Sequence, residues 1–284
     1  MNKLEIFTFL TRNSADYAEL LRDSMERLKS GNTIIKYKCI ESVGCERIPK
    51  GWDCVASVKA DLSHNCLNHA NAMHEALKHV KAANVVFVDA DMCILYKDWD
   101  TVITYQLTNC DVWGTAFGED SLQYHRFPNV FFFAFKKCIL DLVDLDFNPK
   151  LSNGKESPVR YKLDNKLEAK LFHKNAGEII KCDTGWRLPL IIGRMGLRVG
   201  CIPRVLGGDP DSQLPFRDDT QKNFCAQKPE HMAEWHYTNK RNGETSLFCT
   251  HKQASRNHAL DGKWGKEWKD RINLYLKVKY GFEL

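Results

Sequence analysis

Two aspartates with one small residue between them stand where an apolar run ends. The stretch is "NVVFVDADMCIL", residues 84–95, and the pair is Asp89 and Asp91. One intervening residue lets both carboxylates face the same hard cation, directly or through water. Mg²⁺ and Mn²⁺ favour such oxygen ligands, and substrate phosphate oxygens commonly complete the shell. A diphosphate leaving group calls for such a metal, because negative charge develops on it as its bond breaks. The plain alternative is a surface turn, where Asp-x-Asp is common. Context favours the metal. The preceding run is buried in character, and the chain has neither a GxGxxG fingerprint nor a GxxxxGK[ST] loop to bind phosphate instead.

Other residue types that could do chemistry are less pointed. His64, His69, His74 and His79 are five residues apart. That spacing spreads them around a helix rather than stacking them. They read as polar helix surface, with His64 or His69 near a phosphate. Lys240, Arg241, Lys252, Arg256, Lys263, Lys266, Lys269 and Arg271 form a basic C-terminal stretch with Tyr237, Trp264 and Trp268. Basic and aromatic residues together can hold a nucleic-acid backbone. A solvated helix with its aromatics in the core is the simpler reading.

The elements that must position Asp89 and Asp91 follow from periodicity. "LEIFTFLT" (4–11) reads as a buried strand. Residues 14–30 repeat Tyr17, Leu20, Leu21, Met25 and Leu28 at helical spacing, with Ser14 as N-cap. Residues 33–42 form a second strand and 43–62 a loop. Ser63 caps a helix whose face carries Leu67, Ala70, Met73, Leu77 and Val80, and the strand ending in Asp89 follows. Strand, helix, strand, helix, strand predicts an α/β parallel sheet. Ligands of such sheets lie at the C-terminal ends of the strands, where the two aspartates stand. Further strands are expected at 110–117, 129–137 and 197–204, and helices at 185–196 and 265–281. Residues 152–162 read as a polar loop and 207–230 as a mobile segment.

The whole chain sets bounds. It has 284 residues, 43% hydrophobic and 27% charged, which places it among soluble globular proteins with a full core. A net charge of +5 suits a phosphate-bearing ligand without proving one. The eleven cysteines form no CxxC pair, so a zinc knuckle is not expected, and several lie in apolar runs. Free thiols, no Asn-x-Ser/Thr sequon, no signal peptide and no membrane-spanning run lead to the expectation of a cytoplasmic protein, in the host cell if viral.

"SHNCLNHANAMHEALKHVKAANVVFVDADMCIL" resembles the nucleotide-sugar half of a GT-A fold glycosyltransferase, with its helix, hydrophobic strand and DxD motif. "CDTGWRLPLIIGRMGLRVGCIPR" is similar to the later segment of family-2-like members, and "LEIFTFLTRN" resembles the opening strand and nucleoside-binding loop. Together these cover residues 4–205. The Gln-x-x-Arg-Trp motif of processive members is absent, which argues against a polymerising synthase.

The resemblance implies a Rossmann-like mixed sheet flanked by helices, in one domain with a C-terminal extension. Residues 1–110 would be the nucleotide-sugar-binding half, 111–206 the acceptor and catalytic half, and 207–284 the extension. Asp91 would hold Mn²⁺ or Mg²⁺. Asp89 would reach the ribose or the metal through water. Thr11, Arg12 and Asn13 would wall the nucleoside, Asp61 would accept from its base, and His69 would approach the phosphates. Asp183 falls where the family places the general base of an inverting transfer, which takes the acceptor's proton. Its alternative is a helix N-cap, and Glu119 or Asp120 is next in line as base. A third metal ligand in such enzymes is often a C-terminal histidine. His236 is preferred over His251, because the polar stretch after it reads as a loop able to fold over the site.

Length and mild basicity also resemble the T-even phage enzymes that glucosylate hydroxymethylcytosine in DNA. That implies UDP-glucose as donor and double-stranded DNA, hydroxymethylated or already glucosylated, as acceptor. A cell-surface or lipid-linked glycan is the alternative acceptor. A non-catalytic module that binds nucleic acid or sugar nucleotides is the alternative of another class.

Overall fold

The computed structural model describes residues 2–42, 44–59, 65–118, 121–152, 158–206, 211–215, 232–252 and 259–284. The chain opens with strand β1 (Asn2–Leu10) and turns at Asn13, whose φ of 61° lies in the left-handed region. Asparagine tolerates that region better than most residues. Ser14 then locks the turn: its Oγ accepts from Thr11 N and donates to Thr11 O, both at 2.7 Å. Helix α1 (Ser14–Leu28) carries the chain back, so β2 (Thr33–Glu41) lies parallel to β1 from Asn2↔Thr33 to Leu10↔Glu41. Along β1 the side chains alternate between two cores. Leu4, Ile6 and Leu10 join one, and Phe7 and Phe9 the other.

Next come β3 (Asp53–Ser57), α2 (Asn65–Lys78), β4 (Asn84–Val88), β5 (Met92–Ile94), α3 (Trp99–Asn109), β6 (Val112–Ala116) and β7 (Pro128–Lys136). After them come β8 (Arg160–Lys162), α4 (Lys166–Leu171), β9 (Ile179–Lys181), α5 (Leu188–Arg194), β10 (Val199–Ile202) and β11 (Arg204–Leu206). The last elements are β12 (Ala233–Thr238), β13 (Thr245–His251) and a helix, α6 (Lys263–Tyr280).

Seven strands form the central sheet in the order β10-β6-β7-β4-β1-β2-β3. Only β7 opposes the rest, running antiparallel to both β4 and β6. A second, antiparallel sheet has the order β11-β12-β13-β5, and β8 and β9 form a small pair. One core lies under α1, α3, α6 and the second sheet and contains Trp99, Trp235 and Trp268. The other lies under α2, α4 and α5 and contains Phe87, Phe133, Phe135 and Phe147. Each buried phenylalanine of this kind contributes about 1.5–3 kcal/mol. This is the α/β architecture expected, a mostly parallel mixed sheet flanked by helices.

Several local expectations change. β3 lies inside the predicted loop. It is an edge strand with mostly exposed residues, so it lacks the apolar alternation that marks a strand. The 129–137 segment is the antiparallel strand of an otherwise parallel sheet, because consecutive β6 and β7 pair through the short 117–127 connection. The helix expected over 185–196 begins only at Leu188. Within the C-terminal extension, β13 pairs with β5 and α6 packs Trp268 and Ile272 into the first core. Most of 207–230 lies outside the described residues.

Candidate functional site

The two sheets meet at the aspartates. Asp89 keeps the central-sheet register, its N–H donating to Phe131 O on β7 at 2.9 Å. Met92 N donates to Asp89 O at 3.1 Å, and there the chain enters the second sheet. Asp89-Ala90-Asp91 is therefore the turn between them, at the C-terminal end of β4. β13 runs antiparallel to β5 with His251 opposite Met92, and Lys252 N donates to Asp91 O at 2.9 Å. This register brings His251 Nε2 to 2.9 Å from Asp91 Oδ1. Ligand atoms of Asp89, Asp91 and His251 all lie within 4.8 Å of one another.

Asp91 and His251 are buried, and Asp89 is partly so. Burial works against a charged His251, but Asp91 and then Asp89 overcome it and hold the imidazole above its ordinary value. Fully buried Lys252 is pushed the other way, its pKa lowered by desolvation against the pull of Asp91. Tyr17 reaches the same corner from α1. Burial and then the charge of Asp91 raise its phenol well above the usual range.

Two polar atoms of the cluster have no hydrogen-bond partner, Asp89 Oδ1 and His251 Nδ1. A buried carboxylate oxygen without a hydrogen bond gains from a cation beside it, and the His69 imidazole, 3.2 Å from Asp89 Oδ1, is the cationic group next to it here. Two carboxylates suit Mn²⁺ or Mg²⁺ with phosphate oxygens, whereas the imidazole nitrogen is a ligand that transition-metal ions take more readily than Mg²⁺.

His69 on α2 connects this corner to Asp183. Its Nε2 lies 3.2 Å from Asp89 Oδ1, in a geometry that makes no hydrogen bond. Burial depresses its basicity, but Asp89, Asp183 and Asp91 together raise its pKa above the ordinary value. One imidazole thus feels all three carboxylates. Asp183 follows β9. Its Oδ1 accepts from Thr184 N at 2.8 Å, and its Oδ2 pairs with Lys181 Nζ at 2.8 Å. Burial alone would raise its pKa, yet Lys181, Cys66 and Thr184 bring it below the ordinary carboxylate value. It does not cap α5, which starts five residues later with Arg187 at its N-cap.

His236 is not part of the cluster. It lies on β12 with Nε2 3.1 Å from Glu234 Oε2. Strand alternation explains the difference. Glu234 and His236, two residues apart, share one face of β12, whereas His251 sits opposite Ala233 on the other. Glu234 is itself a structural hub, taking Ser212 Oγ, Gln213 N and Leu214 N. The preference for His236 came from a following loop. The better signal was the alternation "SLFCTH", a strand ending on histidine.

Thr11, Arg12 and Asn13 stand at the C-terminal end of β1, beside β4, and Asn13 N donates to Glu46 Oε2 at 3.1 Å. Asp61, His64, Glu119 and Asp120 lie outside the described residues. Tyr17 and Lys181 were not singled out from sequence, because an aromatic on a helix stripe and a lysine on a short strand carry no local mark of function.

No family model and no curated protein matches the chain. Solved structures resemble parts of it. One is the mannosyltransferase PcManGT of Pyrobaculum calidifontis with GDP-Man and Mn²⁺ (14% identity, TM-score 0.38, 49% of this chain and 46% of that one). Another is S. aureus TarS 1-349 with UDP-GlcNAc (14% identity, TM-score 0.36, 54% and 50%). A third is the galactosyltransferase LgtC with donor and acceptor sugar analogues (12% identity, TM-score 0.35, 49% and 60%). The match spans less than two thirds of each of these chains. At such scores the function has to be argued from the site. Among the described residues, no helix is long and apolar enough to cross a membrane.

Proposed function

We propose that this chain is a metal-dependent glycosyltransferase that moves a sugar from a nucleotide-diphosphate donor to an acceptor hydroxyl by inversion. The observation that supports it is the convergence of Asp89, Asp91 and His251 at the end of β4, two of them with an orphaned buried atom. These residues would hold Mn²⁺ or Mg²⁺, which neutralises the leaving diphosphate when bound. Asp183 would accept the acceptor's proton. The carboxylate is ionised, as a base must be, and Lys181 orients it. Thr11, Arg12 and Asn13, beside β4, would flank the nucleoside.

A narrower form of the proposal takes a hexose from UDP-glucose to hydroxymethylated or glucosylated duplex DNA. Its support is the chain's length and mild basicity; of the basic, aromatic C-terminal stretch that could hold a nucleic-acid backbone, Trp268 and Arg271 are fully buried. Arg271 bonds Pro215 O and Leu214 O rather than facing solvent. Salt tests this form: DNA affinity must fall steeply with ionic strength.

The test of the main proposal is slow donor hydrolysis by the whole chain with labelled UDP- and GDP-sugars and Mn²⁺. Turnover abolished by EDTA supports the enzyme. Donor binding without turnover supports a non-catalytic module instead.

A further inference from the structure

Away from the metal cluster, the 121–127 connection and the α4–β9 segment enclose an open cavity of about 730 Å³. Arg126, Lys166, Lys170, His173 and Lys174 line it, and its one acidic lining residue is Glu178. Glu178 is already committed, 3.5 Å from Lys174 Nζ and accepting from Asn175. Arg126, Lys166 and Lys170 have no ion-pair partner among the described residues. Lys166 and Lys170 are one turn apart on α4, so they present like charges on one helix face. Among the described residues, no ion pair to either lysine offsets that repulsion.

The backbone holds this arrangement in place. Arg126 (φ 47°) and His173 (φ 53°) are both in the left-handed region, which is uncommon for non-glycine residues. His125 N donates to Phe172 O at 3.0 Å, and Lys174 Nζ to Ser121 O at 2.9 Å, so the two walls are tied. Burial and the nearby Arg126 lower the pKa of His173, as a positive field would.

We infer that this cavity binds a phosphate group carried by the acceptor. A concave site lined by one sign of charge concentrates the opposite ion. The guanidinium and two ammonium groups are the donors phosphate recognition uses. The volume is that of a small-molecule site, which favours a phosphorylated sugar or a lipid-linked phosphate over a duplex. The wall also leads toward the proposed base. Lys181 N donates to Leu122 O at 2.8 Å, and the strand that carries Lys181 delivers Asp183 two residues later. Assigning the occupant as acceptor rests on the transfer reading above; phosphate binding itself does not.

The experiment is calorimetry on the full chain without metal, using inorganic phosphate, glycerol 3-phosphate, and vesicles of phosphatidylcholine with or without phosphatidic acid. Lys166→Glu/Lys170→Glu should weaken phosphate binding about tenfold or more. An equal charge change elsewhere, Lys36→Glu/Lys137→Glu, should not. Arg126→Asn, which suits the same backbone, should weaken it as well. Preference for glycerol 3-phosphate identifies a soluble acceptor, and preference for phosphatidic acid vesicles a lipid-linked one. No phosphate binding, binding unchanged in the α4 variant, or displacement by UDP with Mn²⁺ would each overturn the inference. So would binding to duplex DNA alone. Donor hydrolysis is measured separately, so either reading can fail while the other stands.

Discussion

The two ends of the central sheet treat buried charge in opposite ways. At the N-terminal end, Glu5 is buried with every oxygen engaged. Lys38 Nζ donates to one at 2.7 Å, and Lys81 N and Ala82 N to the other at 2.6 and 2.9 Å. Lys38 also donates to His79 O at 2.8 Å. At the C-terminal end, Asp89 Oδ1 and His251 Nδ1 are buried without hydrogen bonds. A network in which each group is satisfied serves the fold. Two neighbouring carboxylates flanked by imidazoles, with buried atoms left without hydrogen bonds, are costly to keep and suit a ligand. The contrast separates a carboxylate that serves the fold from the pair proposed to hold a metal.

The largest expected effect is on catalysis. Asp183→Asn keeps the shape and should lower kcat by about 10²–10⁴, the range for losing general-base help. Donor KM should hardly change, because the base meets the acceptor. The structure sharpens this, since Asp183 caps no helix and the amide can still accept from Thr184 N. Steady-state kinetics with near-normal turnover would move the base elsewhere.

At the other end the effect is on stability. Lys38→Met strands Glu5 in the core and should cost about 3–5 kcal/mol in urea denaturation, with donor hydrolysis unchanged in the folded protein. The same pair predicts an acid limit. Burial opposes the charge of Glu5, but Lys38 and the two backbone donors bring its folded pKa below the usual 4.5. A depressed carboxylate contributes fully above its unfolded value and loses that contribution as pH falls through the folded one. Urea midpoints should therefore decline below about pH 4.5 in the parent, and less in Glu5→Gln. Equal acid sensitivity in both would remove Glu5 as the cause.

A smaller effect tests the link between the two carboxylate corners. His69→Gln should lower kcat/KM by about tenfold, as for loss of a charged neighbour 3.2 Å from a proposed metal ligand. No change would make His69 packing against Phe9, whose ring centroid lies 5.2 Å away.

Much of this was legible in the residues. β1, α1, β2, α2 and β4 have clean periods, and "VDAD" marks the end of a buried strand. Long-range pairing was not legible. β7 is as apolar as its parallel neighbours, so its direction is set by the short connection from β6. The choice between the two histidines is hidden for the same reason. His236 and His251 are equally plausible in sequence, and only the pairing of β13 with β5 decides which reaches Asp91. The basic C-terminal stretch divides likewise. Trp268 and Arg271 face the core side of α6, whereas Lys263, with its ammonium over Trp264, is at the surface.

The most direct measurement is Mn²⁺ binding, followed by the electron paramagnetic resonance of the free ion, in the parent chain, His251→Ala and His236→Gln. Glutamine at 236 can still donate to Glu234, so that variant should fold. A metal held by Asp89, Asp91 and His251 predicts that His251→Ala loses Mn²⁺ affinity by about 10–100-fold or more, while His236→Gln binds as the parent does. Unchanged affinity in His251→Ala, or a larger loss in His236→Gln, would contradict it.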